Sequence, residues 1–153
     1  MNRIFDGQVM AERIESIKAG IIGGFSLGLA FIITSLLNTL VLAKYFSSLL
    51  SLQIDVNWPW LFSGAIAGFS GLLFGITYRY IIRTDKNSHL KDGAVMAFGL
   101  VRGLTQLEMG WNSSNTVLPF AVMAGESILW FATAAIALDL AIQLGWVKSF
   151  SSS

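Results

Sequence analysis

No charged residue falls between positions 19 and 43 of this chain, and apolar stretches of comparable length recur at residues 61–82, 93–110 and 117–144. About 20 apolar residues carry a helix across a hydrocarbon layer roughly 30 Å thick, so each stretch predicts a transmembrane helix. The breaks between them are polar. Residues 44–60 (KYFSSLLSLQIDVNWPW) read as a connection closed by Asp55 and the turn signal at Asn57 to Pro59, residues 79–92 (RYIIRTDKNSHLKD) as a charged loop, and residues 111–116 (WNSSNT) as a short turn. The expected fold is all-α: a polytopic membrane protein with four transmembrane helices arranged as two helical hairpins. Residues 1–18 carry three basic and three acidic side chains. They read as a cytoplasmic lead-in, either solvated or lying as an interfacial helix, ahead of a single membrane domain over residues 19–153.

Orientation follows from the basic residues, which resist translocation when they lie near helix ends. Arg3, Arg13, Lys18, Arg79, Arg83, Lys86, Lys91 and Lys148 fall on one side, Lys44 alone on the other, and Arg102 within the membrane. Both termini are therefore expected on the cytoplasmic or stromal side. Trp58, Trp60 and Trp111 then form an outer aromatic belt, with Tyr78, Tyr80 and Trp146 at the inner one.

Composition narrows the chemistry. With 153 residues, 54% of them hydrophobic and 12% charged, four spans leave no length for a soluble catalytic domain, so function must sit in or beside the helices. A net charge of +1 suggests no nucleic-acid partner, and the lack of cysteine excludes disulfides, thiol catalysis and thiolate metal sites. The chain carries no phosphate-binding glycine loop, no HExxH, no GxSxG and no pair of histidines. No metal or cofactor is expected, and the lone His89 reads as a loop residue. Asn112-Ser113-Ser114 has the form of a glycosylation sequon and reads as turn chemistry.

Glycine supplies the packing signal. Gly20, Gly24 and Gly28 recur every four residues, and Gly64, Gly68, Gly71 and Gly75 share one helical face. Such faces allow helices to cross closely within a monomer or a dimer, or leave a groove for a lipid or pigment. A parallel echo relates the two halves: the ten residues from Lys18 to Leu27 align with those from Lys91 to Leu100, and Pro59 with Pro119.

Ionisable groups inside a membrane are candidate functional residues. Antiparallel helices leaving a turn centred near residue 114 reach equal depth where position numbers add to about 228, as those of Arg102 and Glu126 do. An ion pair near mid-membrane is expected, either structural or part of a ligand or proton site, with Gln106 on the Arg102 face and Glu108 closer to the outer interface. The same rule brings Asp139 level with residue 89, beside His89 and Lys91.

Residues 78–108 (YRYIIRTDKNSHLKDGAVMAFGLVRGLTQLE) resemble small multi-spanning membrane proteins of unknown function from cyanobacteria and chloroplasts. The resemblance implies a bacterial inner membrane or thylakoid and transfers no site residues. The expected function is a non-enzymatic accessory or assembly factor, or a small subunit of a larger membrane complex, partnered by lipid and by other subunits or copies of itself. The alternatives are a small homo-oligomeric transporter or channel that uses the Arg102/Glu126 seam, and a membrane enzyme acting on lipid through Glu108, Glu126 or His89.

Overall fold

Every regular element among the described residues of the computed structural model, 2–82, 88–113 and 116–150, is helical. Helix α1 (Asn2–Leu37) continues through a π turn (Asn38–Leu42) into the short α2 (Ala43–Tyr45). A 3-10 turn (Ser47–Leu52) leads to α3 (Trp58–Ile81), followed by α4 (Ser88–Ser113) and α5 (Leu118–Gln143). Three helices, Arg3–Tyr45, Trp58–Ile81 and Leu118–Gln143, are long and apolar enough to cross a membrane. At 26 residues α4 has the length, but Lys91, Asp92, Arg102 and Glu108 keep it from meeting the same standard of apolarity.

Local chemistry sets the helix ends. Asn57 caps α3 by accepting a hydrogen bond from the Trp60 backbone N–H at 3.2 Å, while Pro59 and Pro119 lie in the first turns of α3 and α5, where a missing N–H costs nothing. Gly145, at φ 75°, ends α5: the Trp146 N–H turns back to the Ala141 carbonyl at 2.9 Å, the bond of a left-handed helix cap. This buries Val147 and returns the chain toward α1.

Several boundaries differ from the sequence reading. Residues 2–18 are not a separate lead-in but the opening turns of α1, because nothing breaks the helix before Ala19 and Ser16 is already buried against α3. The first span likewise runs on through Lys44 and Tyr45, and α4 continues through Trp111, Asn112 and Ser113, where a turn was expected. Arg83, Lys86 and Ser114 of the sequon lie outside the described residues.

The helices pair as two hairpins, α1 with α3 and α4 with α5, joined mainly where α1 packs on α5. In the first hairpin Gly23, Gly71 and Gly75 bring backbones together: a Cβ on Gly71 would lie 2.7 Å from Leu27 Cβ, and one on Gly23 would lie 3.0 Å from Gly75 Cα. The α1 face is Gly20, Gly23, Gly24 and Leu27, not the every-fourth series. Gly28 meets nothing within 4 Å, because eight residues from Gly20 the helix has rotated it off the contact. On α3, Gly64 packs under Phe31, and Gly68 sits at the edge, where an added Cβ would lie 3.9 Å from the Gly24 carbonyl oxygen.

In the second hairpin Gly99 faces Ile128 and Gly103 faces Ala124, within one residue of the level expected from the turn. Trp130 ties the hairpins together, its indole N–H donating to Thr34 Oγ1 at 3.1 Å and its ring meeting Phe31 edge-on at 5.7 Å. A cluster of Phe74, Phe98 and Phe131, with ring centroids 5.2 to 5.6 Å apart, joins α3, α4 and α5.

Candidate functional site

Beyond that aromatic cluster, toward the amino-terminal end of α3 and the carboxy-terminal end of α4, the two helices part. Between them lies a cleft of about 770 Å³, walled by Ile66, Ser70 and Leu73 of α3, Ala97, Val101, Arg102 and Gln106 of α4, and Met123, Trp130 and Phe131 of α5. α3 packs chiefly on α1 and α4 on α5, so α3 and α4 meet each other only sparsely. Only Arg102 among the lining residues is charged.

A second, polar pocket of about 290 Å³ adjoins it, lined by Thr34, Ser35 and Asn38 of α1, Gln53, Asp55 and Asn57 of the connection, and Glu126 of α5. Phe31, Ser63, Met123 and Trp130 wall both cavities. The connection is pinned over the pocket by the Ile54 N–H, which donates to Thr39 Oγ1 at 3.1 Å. The π turn starts at Asn38, whose carbonyl accepts the Ala43 N–H five residues on. Such a bulge re-aims side chains and is frequent at functional sites. Asn38 is 7% exposed, its side chain lies within hydrogen-bonding reach of the Glu126 carboxylate, and its Oδ1 is buried without a partner.

The expected ion pair between Arg102 and Glu126 does not form. Their levels match, but their directions do not: the α5 seam against α4 runs through Ala124 and Ile128, and Glu126, two residues from each, points about 200° away at 100° per residue. It faces Asn38 and the polar pocket instead. Arg102, next to the seam residue Gly103, turns into the cleft with its guanidinium 5.1 Å from the Trp130 ring centroid, and its Nε is buried without a hydrogen bond. Glu126 is also not isolated in the apolar layer, because Asp55 and Asn57 line the same pocket. Gln106 shares the cleft wall with Arg102. Glu108 is exposed and lines neither cavity, as is His89 at the far end of α4.

Asp139 takes Lys91 as its ion-pair partner at 3.0 Å and accepts a hydrogen bond from the Tyr78 hydroxyl at 3.1 Å. The sequence reading missed Arg79, counted there as a loop charge. It is 1% exposed and clamps three segments. Its Nε donates to the Lys148 carbonyl at 2.8 Å, Nη1 to Ser16 Oγ at 2.8 Å and to the Glu12 carbonyl at 3.1 Å, and Nη2 to the Glu12 carboxylate. The polar pocket was missed as well. Thr34, Ser35, Asn38 and Thr39, recurring on one side of an otherwise apolar helix, were its legible signal.

No family model, no curated protein and no solved structure matches this chain. Among the described residues no group of three or more His, Asp or Glu is placed to hold a metal ion. The two cavities present different surfaces: a mainly apolar wall with one cation in the cleft, and amide, hydroxyl and carboxylate groups in the pocket.

Proposed function

We propose that the protein is a non-enzymatic integral membrane protein, spanning four times with both termini on the cytoplasmic or stromal side, that serves as an accessory or assembly factor or small subunit of a larger membrane complex. Its working feature is the cleft between α3 and α4, which holds a small hydrophobic or amphiphilic guest for that complex. The observation that carries this reading is the cleft itself. A volume of about 770 Å³ with one uncharged amide and one cation in a mainly apolar wall has the size and lining of small-molecule sites, and the helices that bound it are fixed by other contacts. The resemblance of residues 78–108 favours a bacterial inner membrane or a thylakoid. In this orientation α4 is the third of the four spans, with Arg102 turned to the cleft.

Affinity purification from the native membrane in mild detergent, with native mass spectrometry of the product, tests the proposal. A defined hetero-complex with retained small-molecule mass supports it; a bare monomer with no co-purifying species overturns it. A second reading, a small homo-oligomeric transporter or channel, draws on the abutment of polar pocket and apolar cleft at Trp130. A clean homo-oligomer that makes liposomes permeable to an ion or solute favours that reading.

A further inference from the structure

Resting on the cleft reading above, we infer that the guest is a single-chain amphiphile with a carboxylate head, and that Arg102 is the residue that receives it. The cleft holds one cation and no anion among its lining residues. A guanidinium in an apolar layer is expensive without a counter-charge, and the nearest acid by level, Glu126, points into the other pocket toward Asn38. The counter-charge must therefore come from what fills the cleft.

Arg102 is presented for this task. The guanidinium carbon lies 5.1 Å from the centroid of the Trp130 ring, a cation–π contact that helps to hold the charge on the cleft wall. The Nε donor has no acceptor. Because Nε is itself sealed within the protein, the Nη groups of the same guanidinium are the donors that a carboxylate in the cleft can meet. Gln106, one turn along α4, adds an amide donor on the same wall. A monoanionic carboxylate neutralises one guanidinium, whereas a phosphomonoester brings nearly two negative charges, for which the lining offers no second cation. The cleft, open along one side, suits one alkyl chain running past Ile66, Leu73 and Val101, and its volume is smaller than that of a two-chain phospholipid.

The test uses the whole protein in nanodiscs of zwitterionic phosphatidylcholine, with hexadecanoate and hexadecanol as paired probes and bound mass counted by native mass spectrometry. Wild type is expected to retain hexadecanoate about tenfold better than the alcohol, the effect of one charge-assisted hydrogen-bonded pair. Arg102→Met should remove that preference and Arg102→Lys should keep part of it. Ser70→Phe, which fills the cleft from the α3 side and leaves Arg102 in place, should exclude both probes. Equal retention of the two probes by wild type overturns the carboxylate assignment while leaving the cleft as a binding site. Retention of hexadecanoate by Ser70→Phe puts the acid elsewhere and overturns the assignment too. If wild type retains neither probe, the cleft reading fails with it.

Discussion

Two arginines, Arg79 near the C-terminal end of α3 and Arg102 midway along α4, sit in contrasting surroundings. Arg79 has its three nitrogens bonded to two backbone carbonyls, a serine hydroxyl and a carboxylate, with the Phe150 ring 5.8 Å from its guanidinium. Arg102 has a ring beside it and a buried Nε that bonds to nothing. The two neighbourhoods follow suit. On the Arg79 side, the crossing at Gly71 and Gly75, the aromatic cluster and the Lys91–Asp139–Tyr78 contact close the bundle. On the Arg102 side, two cavities meet at Trp130 and the amide oxygen of Asn38 goes unpaired. A buried cation with each nitrogen bonded holds segments together. A partly buried one with Nε unmatched, on the wall of a cleft, is the residue on which our proposal of a guest rests.

The contrast breaks first where the Arg79 side is tightest. Gly71→Leu drives a branched side chain into Leu27 and the Gly23 backbone and should cost about 3 kcal/mol or more, read as the midpoint of unfolding in a detergent titration. The same change at Gly28, which faces open space, should move the midpoint by no more than about 0.5 kcal/mol. Arg79→Met comes next, at about 2 to 3 kcal/mol. This lies at or below the lower limit for a broken buried pair because the Glu12 side chain keeps 33% of its surface exposed. Release of the carboxy-terminal tail, measured as faster proteolysis after Trp146, should accompany that loss.

Smaller effects sharpen the comparison. Trp130→Phe deletes the hydrogen bond to Thr34 and weakens the join between hairpins by about 1 kcal/mol. Lys91→Met, at a pair about a third exposed on both sides, should cost under about 1 kcal/mol and lose its effect in high salt. Arg102→Met and Glu126→Gln should each leave stability within about 1 kcal/mol of wild type, since neither orphans the other. A large coupling between those two in a double-mutant cycle would restore the ion pair and erase the difference between the two arginines.

Much of this was legible in one dimension. Hydropathy and glycine spacing act through local rules, so the apolar helices, the turn-symmetric levels of α4 and α5 and the partnership of Asp139 with Lys91 could be read directly from the chain. The helix starts just before Pro59 and Pro119 belong here too, because a proline in the first turn needs no tertiary partner. Gly28 shows the limit of spacing: an every-fourth series drifts round a helix of 3.6 residues per turn, and only the crossing α3 decides which glycines it meets.

Tertiary structure decided the rest. Depth along a hairpin depends on one number, the rise per residue, and the sequence determined it for Arg102 and Glu126. The direction of each side chain depends on where the other hairpin docks, and docking α1 against α5 turned Glu126 to Asn38 and left Arg102 facing the cleft. Arg79 became a clamp because a left-handed turn at Gly145 brought Lys148 back to it across 69 residues of chain. The cleft itself belongs to no segment. It is the side left open when two close-packed hairpins meet along their other faces, and no local pattern in either α3 or α4 encodes it.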